Sequence, residues 1–355
     1  MLTVALGQLL FDDALRLAWA FKIPVLVNDF QVYYRAAGQT DPYEIASHIE
    51  RATYRPFVSP PSLLPWIRWL TLLPFNLAWI VWTLASIIAY MLAAKRFVGF
   101  PRDILAVLSF GSIEALIAGQ VTLILGAAAM LGCSLMKQRP ILSGIVFGIT
   151  ATVKPQILVA LPFALWASKE RRVLFATFLT GLTIGAICVV SQGAAIWLKW
   201  LSVVQQFAAW LPNSQFRTFG VTPTNLAAIA SVGPTLTNCI FMIGAALGIY
   251  TVWQTFSGTE NPRLRLGALV VGYLLCSRYA LVYELALIAP LAAKWLFDRK
   301  APAYCWIAGA LAIACSTGQY THLQIGGFAP PILAFALILT SRTERTKKVL
   351  EACDY

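Results

Sequence analysis

Residues 141–168 read ILSGIVFGITATV-KPQ-ILVALPFALWAS: two uncharged apolar stretches joined by Lys154-Pro155-Gln156. As a helix rising about 1.5 Å per residue, each stretch crosses most of the roughly 30 Å of a bilayer core. Proline cannot continue the first helix, so the chain turns there. The turn fixes a lysine at a membrane face with almost no loop around it. Charge at membrane depth costs about 2.5–3.5 kcal/mol on insertion scales, so a function for Lys154 is the default expectation. The bland alternative is a lysine whose stem lies in lipid and whose ammonium reaches the interface.

The rest of the chain has the same character. Of 355 residues 59% are hydrophobic and 12% charged, and the mean hydropathy is +0.72. Apolar runs fall at about 9–28, 74–94, 103–118, 120–136, 140–153, 156–168, 173–192, 234–256, 265–281, 283–297, 302–319 and 328–341. These predict an all-α, polytopic membrane protein forming one membrane domain over 1–355, with about 12 transmembrane segments. Continuous rather than alternating runs exclude a β-barrel. A cleavable signal peptide is not expected, because the N-terminus lacks a basic region and a small-residue cleavage site. The net charge of +12 belongs to the loops that orient the spans, and nucleic-acid binding is not expected.

Loop charge predicts the orientation. The connections 95–102, 137–139, 169–172, 263–265, 294–300 and 342–348 hold 17 Lys and Arg, whereas Arg35, Arg51, Arg55, Arg68, Lys154, Lys199, Arg217 and Arg278 fall on the other side. The 17-residue side is expected in the cytoplasm, with both termini. The long loops 29–61 and 193–225, and any chemistry, then face outward.

Five stretches carry groups that suit chemistry. Asn28-Asp29-Phe30-Gln31-Val32-Tyr33-Tyr34-Arg35 places a carboxylate and two tyrosines where the first segment ends. A half-desolvated carboxylate suits a general base; an interface cap with an aromatic belt is the alternative. Prolines bracket the amphipathic stretch 62–71, ahead of Trp79 and Trp82. Glu114 and Gly119-Gln120 interrupt another apolar run and need polar partners there. Lys154 and Gln156 suit a phosphate. Ser277-Arg278-Tyr279 and Tyr283-Glu284 frame a short outer turn, where Arg278 either grips phosphate or pairs with Glu284. His48 and His322 are isolated outer residues, and no ligand set for a metal is expected. The seven cysteines are scattered, mostly in apolar runs, and read as small hydrophobes.

Taken in order, NDFQVYYRAA, LLPF with WIVWTL, AGQVTLIL, GIVFGITATVKPQIL and SRYALVYELALIAPL resemble glycosyltransferase family 87 over roughly residues 25–300. The resemblance implies the C-superfamily membrane fold and inverting transfer of a hexose, first of all mannose, from a polyprenyl-phosphate sugar on the outer face. No cofactor is implied; the partners are the lipid donor, a glycan or lipid acceptor and membrane lipids. The family's early aspartate, its general base, falls on Asp29. Its Gly-Gln and Lys-Pro-Gln motifs fall on Gly119-Gln120 and Lys154-Pro155-Gln156. Its late Tyr-Asp stands here as Tyr283-Glu284, one methylene longer, and its Asn-Gln-Ser is matched only loosely by Thr224-Asn225-Leu226.

On that reading Asp29 is catalytic. Lys154, Gln156, Gln120, Arg278 and Arg217 bind the donor and its phosphate, and Tyr33, Tyr34, Tyr283, Glu284 and His322 bind sugar or acceptor. The competing classes are a polytopic transporter or lipid flippase, which requires ionisable groups near the bilayer midplane, and a catalytically inactive homologue.

Overall fold

The computed structural model describes residues 28–43, 56–211, 219–315 and 325–353. The segment expected at 9–28 lies outside them apart from Asn28, as do Arg217, His48 and His322. Among the described residues the protein is helical, and its only β-type pairing is an isolated bridge between Gly220 and Leu281.

The elements are α1 (Asn28–Gly38), α2 (Phe75–Val98), α3 (Arg102–Val107), α4 (Phe110–Ala118), α5 (Thr122–Leu135), α6 (Pro140–Val153) and α7 (Leu161–Ala167). They continue as α8 (Arg171–Gln192), α9 (Ala195–Trp210), α10 (Pro223–Ile229), α11 (Pro234–Gly258), α12 (Pro262–Cys276), α13 (Ala289–Phe297), α14 (Ala303–Ala314) and α15 (Ala329–Cys353). Short helical turns join them at 61–72, Pro155–Leu158 and Val282–Leu287.

Three described helices, α2, α8 and α11, are long and apolar enough to cross a membrane. At most 28% of each apolar window is buried in the protein, so these helices offer side chains such as Leu182, Ile187 and Ile243 to lipid. Other apolar runs are shorter helices than the reading of twelve segments supposes. The run 103–118 breaks after Leu108, because the Ser109 hydroxyl accepts from the Ser112 amide and starts α4 afresh. The stretch 156–168 opens with one short turn before α7 begins. The loops expected at 29–61 and 193–225 contain α1, α9 and α10.

The core lies around α12, in which every residue from Leu264 to Leu275 is buried. A helix covered on all sides belongs in the middle of a bundle. Here α11, α15 and α5 enclose it, while α6 packs along α8 and α13 along α14.

The two ends of the bundle differ. At one end the basic connections meet: Lys137 pairs with Glu170 at 3.0 Å and with Glu260 at 2.9 Å, and Arg263 Nε donates to Phe97 O at 2.6 Å. Arg265, buried on α12, reaches Glu170 at 3.5 Å and donates to Thr259 O at 2.9 Å over the Phe256 ring. The start of α1, the exits of α4 and α6 and the turn after α12 gather at the other end.

Removing one partner of a buried pair leaves a charge without compensation, at about 3–5 kcal/mol, whereas an exposed pair contributes about 0–1 kcal/mol. Glu170→Ala, which strips Arg265 of its carboxylate, is expected to cost about 3 kcal/mol. Lys294→Ala, which breaks a half-exposed contact of 3.9 Å with Asp298, should cost under about 1 kcal/mol. Thermal unfolding of the two variants in detergent, side by side, checks the ranking.

Candidate active site

At the end opposite the basic connections, four separate stretches of chain meet. The first is α1, whose early turn carries Asp29 and whose next turn carries Tyr33. The second is the exit of α4. Gly119 adopts a left-handed conformation (φ +70°), which only glycine takes without strain. A Cβ there would stand 2.4 Å from Phe30 Cβ, so α1 lies directly against this turn. Trp82 of α2 closes the other side, donating from Nε1 to Gly119 O at 3.0 Å and packing against the rings of Phe30 and Tyr33.

Gln120 follows this turn, buried, and its amide serves both α1 residues. Tyr33 donates its hydroxyl to Gln120 Oε1 at 2.9 Å, and Gln120 Nε2 donates to Asp29 Oδ2. The tyrosine thus orients the amide, and the amide holds the carboxylate. Asp29 remains half-buried rather than enclosed.

The third stretch is the exit of α6. Lys154 ends the helix, and Pro155 opens a short helical turn. Ser62 donates to Thr152 O just before it, tying this exit to the turn at 61–63. The fourth stretch is Val282–Leu287, which packs on α4 so closely that a Cβ at Gly111 would lie 2.8 Å from Ala286 N. Tyr90 of α2 also donates to Ala286 O. This turn brings Glu284, 1% exposed, to Lys154, and the two form an ion pair with the Lys154 ammonium 5.2 Å from the Tyr283 ring centre.

The charges act on one another. Burial pushes the Glu284 carboxyl above its ordinary value; Lys154 draws it back by charge and hydrogen bond, and Asp29 adds a further upward push. Burial, then Asp29, then Glu284 push the Tyr33 phenol upward, and the Tyr283 phenol moves the same way for the same reasons. Asp29, Tyr33, Gln120, Lys154, Tyr283 and Glu284 therefore form one group of interacting side chains.

A model of glycosyltransferase family 87 matches residues 57–278. The chain belongs to that family. No curated protein and no solved structure gave a significant match. The family segment contains Gly119-Gln120 and Lys154-Pro155-Gln156, while Asp29 and Glu284 lie beyond its two ends. The contacts of Gln120 with Asp29 and of Lys154 with Glu284 join both outlying carboxylates to the family-87 segment.

Other expected residues stand elsewhere. Tyr34 donates its hydroxyl to Leu73 O at 2.8 Å and meets the Phe75 ring edge to face, fastening α1 to the start of α2. The Gln156 side chain is exposed on its turn. Arg278 is also exposed: it donates to Asn238 Oδ1 at 3.1 Å and covers the Phe241 ring, so the anticipated alternative of an Arg278–Glu284 pair does not form. Thr222 and Asn225 are buried at the start of α10, where Thr222 caps the helix and donates to Arg278 O. The ion pair of Asp41 with Lys199, between α9 and the segment after α1, joins two stretches that the sequence showed only as polar.

Gly119→Ala would combine a strained left-handed backbone, at about 1–3 kcal/mol, with a clash against Phe30. A fall in the unfolding midpoint is expected, and the loss should exceed that of Gly181→Ala, a helical glycine with open space around it. Equal losses would mean that neither the conformation of Gly119 nor its contact with α1 matters.

Proposed function

We propose that the protein transfers a hexose, mannose before others, from a polyprenyl-phosphate sugar to the hydroxyl of a glycan or lipid acceptor. The observation that carries this reading is the gathering of a half-buried carboxylate, Asp29, and a half-buried cation, Lys154, about Glu284 at one end of a membrane glycosyltransferase of family 87. The family supplies the reaction class. The polarity of the two bundle ends supports the side: the basic connections lie at the opposite end, which the positive-inside rule assigns to the cytoplasm. The site then faces outward from a multi-pass protein of the cell membrane, where nucleotide sugars are absent and a lipid-linked donor is the available activated sugar.

In the mechanism Asp29 accepts the proton of the acceptor hydroxyl. The oxygen forms a bond to the anomeric carbon from the face opposite the phosphate. The bond from that carbon to the phosphate oxygen breaks, and its electrons leave with the lipid phosphate, so the configuration inverts. Lys154 meets the charge that grows on the leaving phosphate, and a prepositioned cation in a dry site is the effective way to do so. Gln120 keeps Asp29 in place, and Tyr33 fixes which end of the Gln120 amide faces the carboxylate. Glu284, Tyr283 and Gln156 line the donor side, and Tyr34 supports α1. Arg278 is a secondary candidate for the donor phosphate; Arg217 and His322, outside the described residues, are candidates on the sequence alone.

The test is transfer from a radiolabelled polyprenyl-phosphate mannose by purified protein. Asp29→Asn, nearly isosteric, is expected to lower turnover about 10²–10⁴-fold by removing the base. Lys154→Met should lower it about 10²–10³-fold. Near-wild-type turnover by well-folded Asp29→Asn protein would rule out the base assignment.

A further inference from the structure

We propose that Glu284 is the counter-anion that governs phosphate binding at Lys154, so that a phosphodiester enters together with one proton that neutralises Glu284. The inference rests on the proposed lipid-phosphate donor and adds a positioning residue to it.

Three observations lead here. First, the Lys154 ammonium is already engaged, by Glu284 Oε1 and over the Tyr283 ring, and its side chain is only 14% exposed. Second, the other Glu284 oxygen, Oε2, is buried with no hydrogen-bond partner. Such an atom ordinarily finds a partner, and one without it needs a reason. Third, two carboxylates, Asp29 and Glu284, stand near Lys154 and act on one another. A phosphate arriving at Lys154 would add a further anion beside the ammonium that Glu284 already holds. A buried carboxylate deprived of its cation costs several kcal/mol if it stays ionised, and it takes a proton instead.

The groups around Glu284 leave few other places for that proton. Lys154 and Asp29 face it from α6 and α1, Tyr33 from α1, Tyr273 from α12, and Tyr283 from its own turn. The helices packed on the turn add Glu114 of α4 and Tyr90 of α2. Burial pushes the Tyr33 and Tyr283 phenols upward, so they keep their protons throughout the working range. Burial likewise favours the neutral form of Glu284, and the lost attraction of Lys154 favours it further. Once protonated, Glu284 has an O–H to donate, and the newcomer phosphate is an acceptor within the same pocket. The pair thus acts as a latch: the ion pair closes the resting site, and the donor's phosphate with a proton replaces it.

The probe is a short-chain polyprenyl phosphomannose. Its phosphodiester keeps one charge over roughly pH 5.5–8.5, so the ligand itself does not titrate. Binding to the purified full-length protein in detergent is measured by calorimetry across that range. Wild type is expected to lose affinity as pH rises, approaching tenfold per pH unit on the alkaline side. Glu284→Gln should bind with affinity independent of pH, and Asp29→Asn should keep the wild-type slope. Wild type alone gives a second reading: in two buffers of different ionisation enthalpy, about one proton should be taken up per ligand on the alkaline side.

Binding with no slope and no proton uptake overturns the inference and leaves the proposed donor standing. A slope that survives Glu284→Gln, or vanishes in Asp29→Asn, assigns the proton to another group and also overturns it. No binding of the phosphodiester at any pH overturns both the inference and the proposed donor.

Discussion

The ion pair of Lys154 with Glu284 joins residues 130 positions apart, and the arrangement of the site depends on it. One partner sits where a helix stops at a proline; the other sits in a short helical turn pressed on α4. Neither charge is tolerable there alone, since both side chains are largely withdrawn from water. Together they hold the exit of α6 and the turn Val282–Leu287 in register. That contact also brings a carboxylate from outside the family-87 segment to the lysine within it. A buried pair of this kind adds little net stability, but breaking it from one side is costly, so it fixes geometry more than it strengthens the fold.

The second half of the site follows from glycine geometry and a single amide. The left-handed turn at Gly119 lets α1 approach until Phe30 touches the backbone, and it points Gln120 at Asp29. A carboxamide has both a donor and an acceptor end, and Tyr33 occupies the acceptor end. Asp29 is therefore held by its neighbours and still reaches solvent. That combination suits a group that must collect a proton from an incoming hydroxyl.

Much of this was legible in the sequence, and the limits have physical causes. Apolar runs and charge-bearing connections located most of the helices, and the loop charges separated the two ends. Lys154, Asp29 and Gln120 stood out because polar groups in apolar surroundings need a reason to be there. The pairing of those groups was not legible, because helical periodicity records which face is buried and not which distant residue meets it. Arg278 looked like the partner of Glu284 because it is close in sequence; the chain instead turns it outward onto Asn238 and Phe241. The helix α9 was hidden within a loop because Lys199, Gln205 and Gln206 interrupt its apolar residues, and only Ile196 and Val203 are buried on it. The run 103–118 reads as one segment because the cap at Ser109 is one small residue in apolar surroundings.

A double-mutant cycle on Lys154 and Glu284 tests the central claim most directly. Lys154→Met, Glu284→Gln and the combined variant are unfolded thermally in detergent, each against wild type. A buried pair in contact predicts that the two losses are not additive, with the double variant better than their sum by at least about 1 kcal/mol, inside the range of about 0.5–3 kcal/mol for coupled neighbours. Losses that add within about 0.3–0.5 kcal/mol, as they do for independent sites, would contradict the ion pair and the site built around it.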